Sequence, residues 1–333
     1  MKNQKNLHSF VTQLTDWFEK LAQNNRIEPF NLLVNTSELN LFVKRDDLIH
    51  SQISGNKLRK LKYNIQLALK ENCDGLLTFG GAYSNHLLAT AAAGKELGIP
   101  MIGKVRGEEL TIDSNSMLRH CHELGMKLEF LTRSEFSAQK HQSGLVQQNG
   151  SNYWVIPEGG ANAEGIQGCT EIVTELDQDY DYYVVAQGTT TTSLGLLKSI
   201  PEHAKLIVVP VLKGFDVQKE MRHLLQDDVL FDSLSSKLII WDTYHHGAYA
   251  KTSPELMTFI DEFHVHNDFQ IEPVYTGKVF YALNDVLSKE KELFLGKNVL
   301  VVHTGGVWRV KSESAAAERA ESESVPPSLG YGG

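Results

Sequence analysis

The chain has 333 residues, of which 41% are apolar and 22% charged, with a formal net charge of −9. At roughly 100–200 residues per domain this length implies about two domains with substantial cores, and the composition excludes a largely disordered chain. The acidic balance argues against a broad basic footprint for nucleic acid and against attraction to anionic lipid.

The opening MKNQKNLHSFVTQL lacks the apolar core of a signal peptide, and the apolar stretch 206–212 has seven residues, against the ~20 that span a bilayer. A cytoplasmic location is therefore expected. Cys73, Cys121 and Cys169 are odd in number and form no CxxC, so neither a disulfide framework nor a zinc knuckle is indicated. They stand 48 residues apart, but their contexts ENCDGLL, RHCHELG and QGCTEIV do not match, and no repeat is inferred.

Hydrophobic patterning predicts strands over 76–79, 101–105, 127–131, 153–156, 182–186, 206–211, 237–241 and 299–303. Runs such as LIVVPV and VLVV are apolar on consecutive positions, which fits strands covered on both faces in a parallel sheet. Between them, 57–70 carries apolar residues at 58, 61, 65, 68 and 69, close to a helical period. Ser84 and Gly98 bracket an Ala-rich helix over 85–97 as N-cap and stop. Further helices are expected over 113–124, 163–176, 193–199 and 254–264. The alternation implies an α/β architecture with parallel sheets. From Ser312 onward five Ser, four Glu and four Ala leave almost no large apolar residue, so 307–333 reads as an atypical, disordered tail.

Four segments carry candidate chemistry. In KRDDLIHSQISGNKLRKLKYN (44–64), Lys57 follows a glycine turn at a helix start. Burial there would lower its pKa and suit Schiff-base chemistry; on these residues alone a solvated lysine in a basic run is the alternative. LLTFGGAYSNHLLATAAAG (76–94) places Ser84, Asn85 and His86 at a helix N-terminus, an anion site or simply a capped turn. VVAQGTTTTSLGLL (184–197) offers successive N–H groups and hydroxyls able to cradle a phosphate, or a Thr-rich cap. It is neither a Walker A loop nor a GxGxxG fingerprint. The fourth group is HHGAYAK (245–251), EPVYTGK (272–278) and VVHTGG (301–306), where Tyr249 and Tyr275 stand beside glycine turns. The histidine pairs 120/122, 245/246 and 264/266 lack partners at metal-ligand spacing and read as surface residues.

Taken together, VKRDDL (43–48), GNKLRKL (55–61), GGAYSNH (80–86), PEGGANAEGIQG (157–168), QGTTTTSLGL (187–196), PVYTGK (273–278) and HTGG (303–306) resemble, in order and over about 300 residues, the fold-type II pyridoxal 5′-phosphate (PLP) enzymes. The likeness is greatest to the branch containing D-cysteine desulfhydrase and 1-aminocyclopropane-1-carboxylate (ACC) deaminase. The resemblance implies a tryptophan-synthase-β-like α/β fold of two three-layer αβα domains with mostly parallel twisted sheets. It implies a large PLP-binding domain (1–57 and 158–306), a small inserted domain (58–157) and a homodimer. It further implies that Lys57 forms the Schiff base with PLP and moves the substrate's α-proton. Asn85 would bond the cofactor's 3′-oxygen, and Ser84, Asn85 and His86 the substrate carboxylate. Gly188, Thr189, Thr190, Thr191 and Thr192 would bind the phosphate. Tyr249 and Tyr275 would face the substrate, with Thr304 and Thr276 near the pyridine nitrogen.

A neutral hydroxyl at that nitrogen would leave it less protonated than a carboxylate would, limiting carbanion delocalisation. Thr276 stands where ACC deaminases carry glutamate, which favours β-elimination from D-cysteine over ACC ring opening. ACC deamination, another D-amino-acid lyase activity, and PLP binding with little catalysis are the alternatives. Threonines replace glycines in the phosphate loop, which would strain any position needing positive φ. The segment after HTGG departs from the family pattern, which bears on stability and the cofactor floor.

Overall fold

The structure, a computed structural model, describes residues 2–247 and 250–306, with side chains from Thr12 onward. Helix α1 (Lys2–Ala22) leads into the hairpin β1 (Ile27–Pro29) and β2 (Asn40–Lys44), then α2 (Asn56–Lys70), β3 (Gly75–Gly80), α3 (Asn85–Leu97) and β4 (Met101–Arg106). Next come α4 (Ser116–Glu123), β5 (Lys127–Leu131), α5 (Arg133–Gln139), β6 (Gly144–Gln148), β7 (Ser151–Ile156) and α6 (Ala163–Thr174). The chain continues through β8 (Tyr182–Gln187), α7 (Thr191–Ser199), β9 (Lys205–Pro210), α8 (Val217–Leu225), α9 (Asp228–Ser235) and β10 (Leu238–Ile240). It closes with α10 (Pro254–His266), α11 (Thr276–Glu290) and β11 (Asn298–Val302).

Two sheets result. A six-stranded sheet runs β1-β2-β11-β8-β9-β10 and a five-stranded sheet β5-β4-β3-β7-β6. Every pairing is parallel except the two edge pairs, β1–β2 and β6–β7. The continuous apolar runs of β8, β9 and β11 follow from burial on both faces. Val184, Ile207, Val209, Val299 and Val301 pack with α10 and α11. Their neighbours Tyr183, Val185, Leu206, Val208, Leu300 and Val302 pack with α6 and α7. The smaller sheet has the same layering: Leu76, Trp154 and Ile156 meet α2 and α3, while Leu77, Phe79 and Val155 meet Phe136 of α5. Both sheets are thus sandwiched α/β layers, the architecture expected from the strand–helix alternation.

The eight strands predicted from sequence are present as β3, β4, β5, β7, β8, β9, β10 and β11. Two helices differ from expectation. The stretch 113–124 is interrupted because Asn115 caps α4, its side chain accepting from Leu118 N. Helix α7 starts at Thr191, two residues early, so the Thr-rich turn contributes to its first turn. No helix among the described residues is long and apolar enough to cross a membrane.

Candidate active site

Six segments meet near the ends of the parallel strands. Gly55 (φ +64) lies so close to β11's continuation that a Cβ on it would fall 1.9 Å from the Thr304 carbonyl oxygen. Gly305 presses equally on Ser54. Only glycine, with no Cβ and free access to positive φ, allows both approaches. Gly306 then faces the Asn85 amide and the Glu272 side chain, each 3.5 Å from a Cβ built on it. Glu272 binds Thr276, and the adjacent Tyr275 ring covers Gly188, where a Cβ would lie 2.6 Å from Cε1. The circle closes through Thr189: its methyl meets Gly159, and its hydroxyl accepts from Lys60 Nζ at 3.0 Å. The sequence-predicted residues Asn85, Gly188, Thr189, Tyr275, Thr276 and Thr304 are therefore brought together in one ring of contacts, with Lys57 two residues from Gly55.

Lys57 opens α2 half-buried, donating to Asn56 Oδ1 at 2.5 Å. The buried Asn56 in turn donates to Thr192 Oγ1 at 2.8 Å, tying the lysine turn to the Thr loop. Burial, reinforced by the charge of Lys60, brings the Lys57 amine down to about 7. Near neutrality about half of it is the free base, the form that acts as nucleophile and proton acceptor.

Lys60, one helical turn on, was not singled out from the sequence. It is almost fully buried, donates to Gly159 O and Thr189 Oγ1, and is lowered by burial to about 8. The run KLRK looked like a solvated face, yet Arg59 is buried too, bound to Glu175 and Asp46. The run carries charge of one sign only, and nothing in it marks Lys60 as buried.

At the head of α3, Ser84 Oγ accepts from Leu87 N at 3.3 Å, the cap read from sequence, and Gly98 ends the helix in a left-handed conformation. The His86 ring turns into the small sheet. Thr78 donates its hydroxyl to Ile156 O, so the 2.9 Å contact with Thr78 Oγ1 must be made by His86 Nε2–H. Burial and the Lys60 and Lys57 charges push this imidazole down to about 3. It is neutral, and its contribution to an anion at this helix end comes through the backbone.

The Thr loop carries no strain. None of Thr189, Thr190, Thr191 and Thr192 has positive φ, so the strain a threonine would suffer at such a position does not arise. Thr191 is fully buried and its Oγ1 finds no partner among the described residues. Tyr249 and the residues from 307 on, including the tail and its bearing on a cofactor floor, lie outside the described residues.

The sequence pattern of the pyridoxal-phosphate dependent enzymes matches residues 21–305. The chain belongs to that family. A Pyrococcus horikoshii protein named "Putative 1-aminocyclopropane-1-carboxylate deaminase" is 30% identical over 312 residues, 87% of this chain and 94% of its own. A D-cysteine desulfhydrase from Klebsiella pneumoniae is 29% identical over 284 residues, 80% and 86% of the two chains. A solved ACC deaminase homologue superposes with a TM-score of 0.67 at 26% identity, covering 88% of this chain and 95% of the other. Threonine deaminase isoform 2 from Solanum lycopersicum shares the fold alone, at TM-score 0.59 and 15% identity over 94% of this chain and 92% of the other. The protein is thus a PLP-dependent lyase or deaminase of fold-type II.

The residues present fit the cofactor. An unpartnered buried hydroxyl at Thr191, an ammonium at Lys60 and the N-terminus of α7 together suit a phosphate group. A lysine amine near neutral pKa suits an aldehyde carbon.

Proposed function

We propose that this lyase eliminates sulfide from D-cysteine, converting D-cysteine and water to pyruvate, ammonia and hydrogen sulfide. The observation that carries the choice of substrate is Thr276: a hydroxyl, not a carboxylate, follows Tyr275. PLP, when bound, supplies an electron sink for the carbanion at Cα. The Lys57 amine holds the cofactor, yields it to the incoming amino group, and then takes the Cα proton as general base. Gly188, Thr189, Thr190, Thr191, Thr192 and Lys60 bind the phosphate. Asn85 would orient the ring, with Thr276 and Thr304 on the side of its nitrogen. The N-terminus of α3, with Ser84, Asn85 and His86, receives the substrate carboxylate, and Tyr275 and Tyr249 flank the side chain to be expelled. Thiolate leaves Cβ as the Cα–H electrons form the double bond, and the released enamine hydrolyses in water.

ACC deamination is the second reading, supported by the 30% identity to the Pyrococcus horikoshii protein over 94% of that chain. The deciding experiment incubates holoprotein with D-cysteine or ACC and quantifies pyruvate, sulfide and 2-oxobutyrate. Equimolar pyruvate and sulfide, lost in Lys57→Ala, is the expected outcome. 2-Oxobutyrate from ACC with D-cysteine silent would replace the first reading by the second. A normal cofactor spectrum with neither product would favour a PLP-binding protein with little catalysis.

A further inference from the structure

The loop into α11 is organised by a carboxylate. Glu272 is buried, and its Oε2 accepts from Val274 N at 2.7 Å. Its Oε1 accepts from Tyr275 N at 2.8 Å and Thr276 N at 2.7 Å. Both oxygens are occupied by N–H donors at the positive end of α11, which favour the anion and oppose the burial that raises this carboxyl's pKa. This carboxylate lies beside Gly306, with the Asn85 amide also next to that glycine.

The same carboxylate fixes the Thr276 hydroxyl. Thr276 Oγ1 accepts from Glu272 N at 3.0 Å and stands 3.2 Å from Glu272 Oε1. A hydroxyl has one proton and two lone pairs. The N–H of Glu272 takes one lone pair, and the anionic oxygen is the acceptor that the described residues offer the proton. What Thr276 has left is a single lone pair, an acceptor.

We propose that Glu272 is a positioning residue that turns the Thr276 hydroxyl into a hydrogen-bond acceptor, so that the pyridine nitrogen of bound PLP is held protonated. This rests on reading Thr276 as the residue at that nitrogen. It reverses the consequence drawn from sequence, where a neutral hydroxyl implied a less protonated ring than a carboxylate would give. An unprotonated nitrogen would set its lone pair against that of Thr276, whereas N–H⁺ completes a chain from nitrogen through hydroxyl to carboxylate. The protonated ring withdraws electrons more strongly, so the carbanion at Cα is stabilised without a carboxylate in direct contact.

The test reconstitutes the protein with PLP labelled with ¹⁵N in the ring and records the ¹⁵N chemical shift at pH 8, alongside the absorbance of the bound cofactor. The wild type is expected at the protonated position. Thr276→Ser, which keeps the hydroxyl, should stay there. Thr276→Val and Glu272→Gln should both move toward the unprotonated position. Because Glu272→Gln also removes charge from the cap of α11, Thr276→Val, which keeps the carboxylate and the three N–H bonds to it and loses the Glu272 N–H bond to Oγ1, supplies a second variant with a different structural cost. A wild-type resonance at the unprotonated position, or a protonated resonance unmoved in Thr276→Val, overturns the proposal. If wild type and Lys57→Ala give the same spectrum, with no Lys57-dependent band, the reading of the cleft fails and the proposal falls with it.

Discussion

Lys57 is useful because of where its proton sits. Burial and the neighbouring ammonium of Lys60 lower its pKa from an ordinary 10.5 to about 7, so the charged form is the one the fold disfavours. The free amine fraction therefore falls about tenfold per pH unit below 7 and saturates above it. Stopped-flow absorbance after mixing apoprotein with PLP should show capture accelerating up to about pH 7 and then levelling off. A rate still climbing tenfold per unit at pH 9 would mean an ordinary, solvated lysine. The same residue shows how far sequence reached: Lys57, Asn85 and the Thr loop sit in motifs whose order betrays them. Lys60 and Glu272 do not, because a lysine in a basic run and a glutamate before proline look like surface charge until the fold buries them.

The elements were legible where burial is two-sided or the caps are explicit. Strands β8, β9 and β11 declare themselves by consecutive apolar residues, and α3 by Ser84 and Gly98. Strand β2 was hidden because NLFVK is short and polar at both ends, its Lys44 buried against Asp46 at 3.0 Å. Helix α11 was hidden because it begins inside a site motif and is capped from a distance by Glu272. The contact that most constrains the lysine turn is between helices. A Cβ on Gly168 of α6 would stand 1.8 Å from the Arg59 carbonyl oxygen of α2. Gly168→Ala must push α2 away, at an overpacking cost of about 1–3 kcal/mol. Calorimetry should show Tm falling by several degrees, at roughly 2–4 °C per kcal/mol for a chain of this order of size. An unchanged Tm would mean that the two helices separate freely.

At the scale of the whole molecule, the two sheets differ in how their strands are drawn from the chain. The five-stranded sheet uses only residues 75–156, in one contiguous stretch. The six-stranded sheet has its last strand near its middle: β11 pairs with β2 on one side and β8 on the other, setting Asn40 against Asn298 and Tyr182 against Val299. A ribosome therefore delivers the small sheet complete while β2 and β8 still wait for a neighbour 258 and 117 residues further on. Long-range closures of this kind are slow and leave strand edges open meanwhile. A nascent chain arrested after residue 290 should protect the 75–156 segment from protease while the flanking segments are cut, and release past β11 should protect all three. Simultaneous protection would mean the sheets form together. Because HTGG is the continuation of β11, the ring of segments around Lys57 is completed only after every strand of both sheets has been synthesised, so pyridoxal phosphate meets two sheets that already exist.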